Sequence, residues 1–337
     1  MGSNRSPKKP LKEFPLFAFL GMHGSIVVSF LLFGLGAFAI YKILTSVNIH
    51  DVVAQLHQIA PSAIALAVFT TLAGYLALVG YDWSALRFIG KSAPLPTLIF
   101  GSFTAYAMGN TVGLSVFSGG AVRYRFYRGL GLDTSDVAVV STFCAMSFGI
   151  GVTLVGFSAL IYHPAALSPI LPISQEVIRW ASLALLLLII GVGLWSSISK
   201  HSFMLGRFRI GLPEPISLGA QVLFSLADIL LAATTLYILL PDALAIPFSI
   251  FVALFAAASV AGVLSHIPGG IGVFEGVMIA GLSTSPELVP GVAAALLAYR
   301  AIYYFLPFIL SLMILAVLEA VQNSRIITAK FLSDNAL

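Results

Sequence analysis

Residues 117–132, "FSGGAVRYRFYRGLGL", place Arg123, Arg125 and Arg128 within six positions, directly after Gly119 and Gly120. Guanidinium groups offer fixed N–H forks that match phosphate oxygens. Glycines let a backbone turn through positive φ and approach a ligand closely. The chemistry expected of this stretch is anion binding rather than bond making. An extended chain puts Arg123 and Arg125 on one face, whereas a helix puts Arg125 and Arg128 on one face. The ordinary alternative is a cytoplasmic cluster that touches anionic headgroups and fixes topology.

A second diglycine, Gly269–Gly270, lies in "PGGIGVFEG" with Glu275 close behind it. Pro268 is expected to stop a preceding helix and leave backbone N–H groups to meet an anion. Three more charges fall in or beside apolar stretches: Asp82 in "YDWSALR", Asp228 and Arg300. A charge at mid-bilayer costs about 2.5–3.5 kcal/mol even on lenient scales, so it normally faces the bundle interior and has a partner. Asp82, Asp228, Glu275 and Arg300 are therefore expected to line a polar cavity. The plain alternatives are a solvated Asp82 at a helix end and a structural Asp228–Arg300 ion pair. Tyr106, Tyr124, Tyr127, Tyr299, Tyr303 and Tyr304 read as interfacial anchors or core aromatics, and none is assigned a ligand.

Signatures of catalysis are sparse. The sequence contains no phosphate-binding loop ending in Lys-Ser/Thr and no His-Glu-x-x-His pair, and "GSFTAYAMG" is not a nucleophile elbow. Cys144 is the single cysteine, which excludes an intramolecular disulfide and argues against a Cys-based metal site. No metal or cofactor is expected.

The elements that must carry these residues are membrane helices. Of 337 residues, 59% are hydrophobic and 9% charged, a composition that excludes an ordinary soluble domain. Apolar runs long enough to cross about 30 Å of hydrocarbon occur at 24–44, 61–81, 136–161, 176–195, 214–240 and 289–318. Two further runs, 95–117 and 244–264, are rich in Gly, Ala and Ser. Lys and Arg mark the cytoplasmic side. The arginines at 123–128 and the basic loop at 200–209 both fall there if 95–117 and 244–264 are re-entrant hairpins. The expected fold is an all-α polytopic membrane protein with six full spans and two re-entrant hairpins; eight full spans is the alternative. Residues 1–13 read as a basic cytoplasmic N-terminus that is not a cleaved signal peptide, 14–320 as one transmembrane domain, and 321–337 as a cytoplasmic tail.

"LSVFSGG" at 114–120 repeats as "LSHIPGG" at 264–270, an offset of 150 residues. Each half, about 15–165 and 172–320, would hold three spans and one hairpin. An odd number of crossings inverts one half relative to the other, a recurrent plan in transporters.

"SGGAVRYRFYRGLGL" and "HIPGGIGVFEGVM", with "YDWSALR" upstream, resemble the membrane region of the lysylphosphatidylglycerol synthases, or multiple peptide resistance factors, and related stand-alone membrane proteins. The resemblance covers essentially residues 14–318. It implies a lipid flippase that carries aminoacyl-phosphatidylglycerol, lysyl-phosphatidylglycerol above all, from the inner to the outer leaflet of a bacterial cytoplasmic membrane. The consequence would be resistance to cationic antimicrobial peptides. By motif, Asp82, Arg123, Arg125 and Glu275 are the positions the resemblance links to lipid passage. Full synthases also carry an aminoacyl-transferase domain, to which nothing in these residues corresponds. The chain is accordingly expected to be a membrane-only relative or the front of a longer synthase.

Expected partners are phosphatidylglycerol or its aminoacyl derivatives, a second copy of the chain, and a separate or fused aminoacyl-transferase domain. Direct nucleic-acid binding is not expected. Two other classes compete with a flippase: a proton-coupled transporter of a small polar solute, and a membrane subunit or scaffold for a lipid- or glycan-modifying enzyme.

Overall fold

The computed structural model describes residues 49–334 except positions 114, 169, 200–202, 206–207, 211–214 and 284. The apolar run at 24–44 and the basic N-terminus lie outside the described residues. Apart from a short antiparallel pair, β1 (Phe203–Leu205) and β2 (Phe208–Ile210), the regular structure is helical.

An amphipathic helix, α1 (Ile49–Gln58), leads into α2 (Pro61–Phe88), which Pro61 opens from its first turn. Next come α3 (Leu95–Val112) and α4 (Ser115–Tyr127), then α5 (Thr134–Tyr162). Asp133 and Asp136 begin α5 with reciprocal bonds: the Asp136 N–H donates to Asp133 Oδ1 at 2.8 Å, and the Asp133 N–H to Asp136 Oδ2 at 3.3 Å. α6 (Gln175–Ser199), α7 (Pro215–Leu239), α8 (Phe248–Leu264) and α9 (Val273–Leu282) follow. α10 (Val289–Tyr299) passes through a π-helical turn, Arg300–Phe305, into α11 (Leu306–Asp334).

Five described helical stretches are long and apolar enough to cross a membrane: α2, α5, the Gln175–Trp195 part of α6, the Ile216–Leu239 part of α7, and Pro286–Val321. Large apolar side chains such as Phe69, Leu76, Trp180, Leu187, Leu223 and Val317 face outward from them. Hydrocarbon can cover these groups without penalty, whereas water cannot.

Helix contacts inside the bundle depend on small residues, as expected where lipid removes the hydrophobic drive between helices. A Cβ on Gly151 of α5 would stand 2.6 Å from the Ser225 carbonyl oxygen of α7. The Thr70 and Thr235 hydroxyls bond at 2.8 Å between α2 and α7, and Gln221 donates to Ser147 at 2.9 Å between α7 and α5.

The two Gly-rich segments are each a pair of helices packed on one another, α3 with α4 and α8 with α9. Both pairs extend beyond the stretches expected from hydropathy. The second limb of the first pair is α4, which carries the three-arginine motif as far as Arg125; the second limb of the other is α9, which carries Glu275. The sequence left the arginine stretch open between an extended chain and a helix, and it is helical as far as Tyr127. The first break also lies earlier than expected. Gly113, at φ 82° and ψ −179°, makes the turn, and Gly119 and Gly120 are interior to α4. Their role is space: a Cβ on Gly119 would be 3.0 Å from the Ala105 carbonyl oxygen, and one on Gly120 3.3 Å from Ser141 Oγ. Gly269 and Gly270, each at φ 61°, do form a turn.

Candidate functional site

Asp82 is fully buried in the penultimate turn and a half of α2, so the reading of a solvated helix end is corrected. Arg123 reaches it from α4. Its Nε donates at 3.0 Å to Oδ2 and its Nη2 at 2.8 Å to Oδ1. Tyr127 donates to Oδ2 at 2.7 Å, and the Cys144 thiol of α5 lies 3.2 Å from Oδ1. Ser102 on α3 bonds the Tyr127 hydroxyl at 3.3 Å, and the Arg123 guanidinium stands 4.7 Å from the centre of the Tyr106 ring. Each carboxylate oxygen thus meets at least two donors from α4 or α5. Such a pair is tolerated inside a bundle because its hydrogen bonds replace water.

The arginine motif is therefore divided. Because α4 is helical, Arg123 points inward, while Arg125 forms a partly exposed ion pair with Glu319 of α11 and Arg128 is exposed in the turn Arg128–Leu130. The three do not converge on one anion, as the spacing suggested they might in an extended chain.

A second ion pair joins the other broken helix to the π turn. Arg300 Nε donates to Glu275 Oε1 at 2.6 Å, and Nη1 donates to the Gly269 carbonyl at 2.7 Å. Glu275 also accepts from the Gly272 N–H at 2.7 Å, which caps α9. The N–H groups of Gly270 and Ile271 donate to Ile267 and Pro268, so the turn spends these donors on itself rather than presenting them to an anion. Arg300 lies 4.4 Å from the Tyr304 ring centre and 5.7 Å from that of Phe274. Arg300 does not pair with Asp228, which corrects the structural pair considered from sequence.

Asp228 lies on α7 between the two ion pairs and is 3% exposed. Tyr81 donates to its Oδ2 at 2.9 Å, and Tyr303 approaches Oδ1 at 3.5 Å. No Lys, Arg or His forms an ion pair with it among the described residues. Tyr81 is next to Asp82 in sequence and edge-on to Tyr106, 6.0 Å between ring centres; Tyr303 contacts Tyr304 at 5.3 Å. These tyrosines join the three acidic centres into one polar and aromatic line. Sequence reasoning gave them no role, although Arg300, Tyr303 and Tyr304 stand at the i, i+3, i+4 spacing that shares one helix face, here within the π turn. Such turns are frequent at functional sites.

The tips of the two helix pairs meet beside this line. A Cβ on Gly113 would be 2.7 Å from the Pro268 Cα, and one on Gly269 would be 3.3 Å from the Asn110 carbonyl oxygen. Among the described residues, no three His, Cys, Asp or Glu side chains gather as a metal site. The arrangement holds two ion pairs and one carboxylate with hydroxyl partners inside the helix bundle.

Residues 25–311 match the family model described as the lysylphosphatidylglycerol synthase TM region. The chain is 34% identical to an uncharacterized protein of Synechocystis, over 82% of this chain and 85% of that protein. It is 32% identical to the inner membrane protein YbhN of Escherichia coli, over 77% and 80% of the two chains. It is also 27% identical to phosphatidylglycerol lysyltransferase of Staphylococcus aureus, over 82% of this chain but 32% of that longer protein.

Proposed function

The chain belongs to the family of the lysylphosphatidylglycerol synthase TM region, and from that premise we propose that this multi-pass membrane protein moves a phospholipid between leaflets. The cargo is aminoacyl-phosphatidylglycerol, with the lysyl form as the first candidate, carried outward across a bacterial cytoplasmic membrane. Resistance to cationic peptides would follow from the positive charge delivered outside. The lysyltransferase relative is named for a phosphatidylglycerol substrate, which supports a lipid over a soluble solute.

The observation that carries the reading is two ion pairs, the buried Asp82–Arg123 and the partly buried Glu275–Arg300, each borne by one limb of a broken-helix pair. Broken helices next to intramembrane charges are the usual way transporters hold a charged substrate part-way across. In this reading the two helix pairs are re-entrant and related by an inverted repeat. Both ion pairs exchange an internal partner for a headgroup charge as the lipid passes. Asp228, which has hydroxyl partners and no paired cation among the described residues, takes the lysyl ammonium.

The test is leaflet exchange of fluorescent lysyl-phosphatidylglycerol in liposomes containing the purified chain, with empty liposomes and a Glu275→Gln variant alongside. Accelerated exchange that is lost in a folded Glu275→Gln protein is the expected result. Exchange at the rate of empty liposomes, with folded protein present, would sink the proposal and leave solute transport or a scaffold role to be tried.

A further inference from the structure

The two buried arginines are not equivalent. Both Nε and Nη2 of Arg123 are held by Asp82. Arg300 spends Nε on Glu275 and Nη1 on the Gly269 carbonyl, while its Nη2 is shut off from solvent and has no acceptor. The side chain as a whole is only 11% exposed, clamped between the Tyr304 and Phe274 rings. Buried donors of native proteins are almost always paired, and a charged one left open forfeits more than a neutral one. An arginine fixed on two arms with the third arm open is a site missing its acceptor.

The surroundings narrow what that acceptor is. Glu275 and Gly269 hold the plane of the guanidinium, so the free arm has one direction. The guanidinium lies beside the meeting of the two helix tips: a Cβ on Gly269 would stand 3.3 Å from Arg300 Nη1 and 3.3 Å from the Asn110 carbonyl oxygen. Anionic oxygens make the shorter and stronger bonds to guanidinium. A lone phosphate, however, would add an uncompensated negative charge to the neutral Arg300–Glu275 pair. A cation carried on the same ligand relieves this, and Asp228 lies beyond the edge-on Tyr303–Tyr304 pair, with no cation paired to it among the described residues.

We propose that Arg300 Nη2 is the contact for a phosphodiester oxygen of the lipid headgroup, held where the two helix breaks meet. This rests on the lipid-translocation reading and names the group on which the headgroup is held. Arg123, closed by Asp82, Tyr127 and Cys144, positions α4 and does not bind the phosphate while that pair is formed.

The experiment is calorimetric binding to the purified full chain in detergent. Three probes are used: dihexanoyl-phosphatidylglycerol, dihexanoylglycerol, which keeps the chains and lacks phosphate, and glycerol 3-phosphate, which keeps phosphate and lacks chains. The parent should prefer the phosphate lipid to dihexanoylglycerol by about tenfold or more, the worth of one charge-assisted bond. Arg300→Lys keeps the charge for Glu275 but has no second fixed N–H arm, and should lose most of that preference. If Arg300→Lys does not fold, Arg300→Gln combined with Glu275→Gln removes both buried charges together and should lose the preference as well. An unchanged preference in either folded variant would mean that Nη2 makes no contact with the phosphate, and would overturn the proposal. Arg300-dependent binding of glycerol 3-phosphate as tight as that of the lipid would uphold the phosphate contact and assign it to a soluble donor. Leaflet exchange is read separately. A parent that exchanges lipid but shows no Arg300-dependent preference retains the translocation reading and loses this contact. Arg300-dependent binding without exchange does the reverse.

Discussion

Gly113 and Pro268 touch so closely that a Cβ on Gly113 would lie 2.7 Å from the Pro268 Cα. One residue ends the first limb of α3–α4 and the other opens the turn between α8 and α9, so the two helix breaks are built against each other. Backbone φ and ψ at Gly113 fall in a region open essentially only to glycine. Gly113→Ala therefore meets both strain and a backbone clash, and should destabilise the protein by about 1–3 kcal/mol or more. Gly131, at φ 75° with nothing within 4 Å of a built Cβ, provides the control. Thermal unfolding in detergent should show the Gly113→Ala loss exceeding that of Gly131→Ala, and equal losses would argue against the close junction.

The Asp82–Arg123 pair predicts strong non-additivity. Asp82→Leu leaves a buried guanidinium without its carboxylate and should cost about 3–5 kcal/mol, whereas replacing both partners with apolar residues costs much less. A double variant, Asp82→Leu with Arg123→Met, should therefore melt above the Asp82→Leu single variant. The reverse order would mean that the pair is not a closed buried unit.

Arg125–Glu319 should behave differently because its side chains are 37% and 52% exposed. Exposed pairs contribute about 0–1 kcal/mol. Glu319→Gln should leave the melting temperature nearly unchanged, and a loss comparable to that of Asp82→Leu would contradict this assignment.

Gly151 and Gly149 are neighbours on α5 with opposite surroundings. A methyl on Gly151 meets the Ser225 backbone, while one on Gly149 meets nothing within 4 Å. Gly151→Ala must push α5 from α7 and should lose about 1–3 kcal/mol. Gly149→Ala should be neutral or slightly stabilising through helix propensity. Side-by-side melting curves decide the matter.

Asp228→Asn removes a negative charge from the centre of the line and preserves its size. If Asp228 takes the lipid ammonium, exchange of lysyl-phosphatidylglycerol should fall about tenfold relative to exchange of phosphatidylglycerol in the same liposomes. An equal fall for both lipids would assign Asp228 to the framework.

Membrane class was legible from residues alone because burial in hydrocarbon demands long runs without charge, and 59% hydrophobic with 9% charged leaves few other folds. The costly exceptions, Asp82, Asp228, Glu275 and Arg300, were legible for the same reason: an intramembrane charge needs a partner, so its presence announces a site. Which partner it takes was not. Arg123 and Arg125 are two residues apart, yet α4 sends one to Asp82 and the other to Glu319. Glu275 captures Arg300, where the sequence had offered an Asp228–Arg300 pair as one alternative, because the Gly269 turn sets its carbonyl and Glu275 beside the guanidinium. The tyrosines joining the centres carried no local mark, since an aromatic inside an apolar helix reads the same whether it fills space or donates a bond. Period and composition act within one helix, so the sequence determined the medium and the charged residues that must find partners there. Pairing depends on where separate helices break and how closely glycines let them approach, and that was decided only by the tertiary structure.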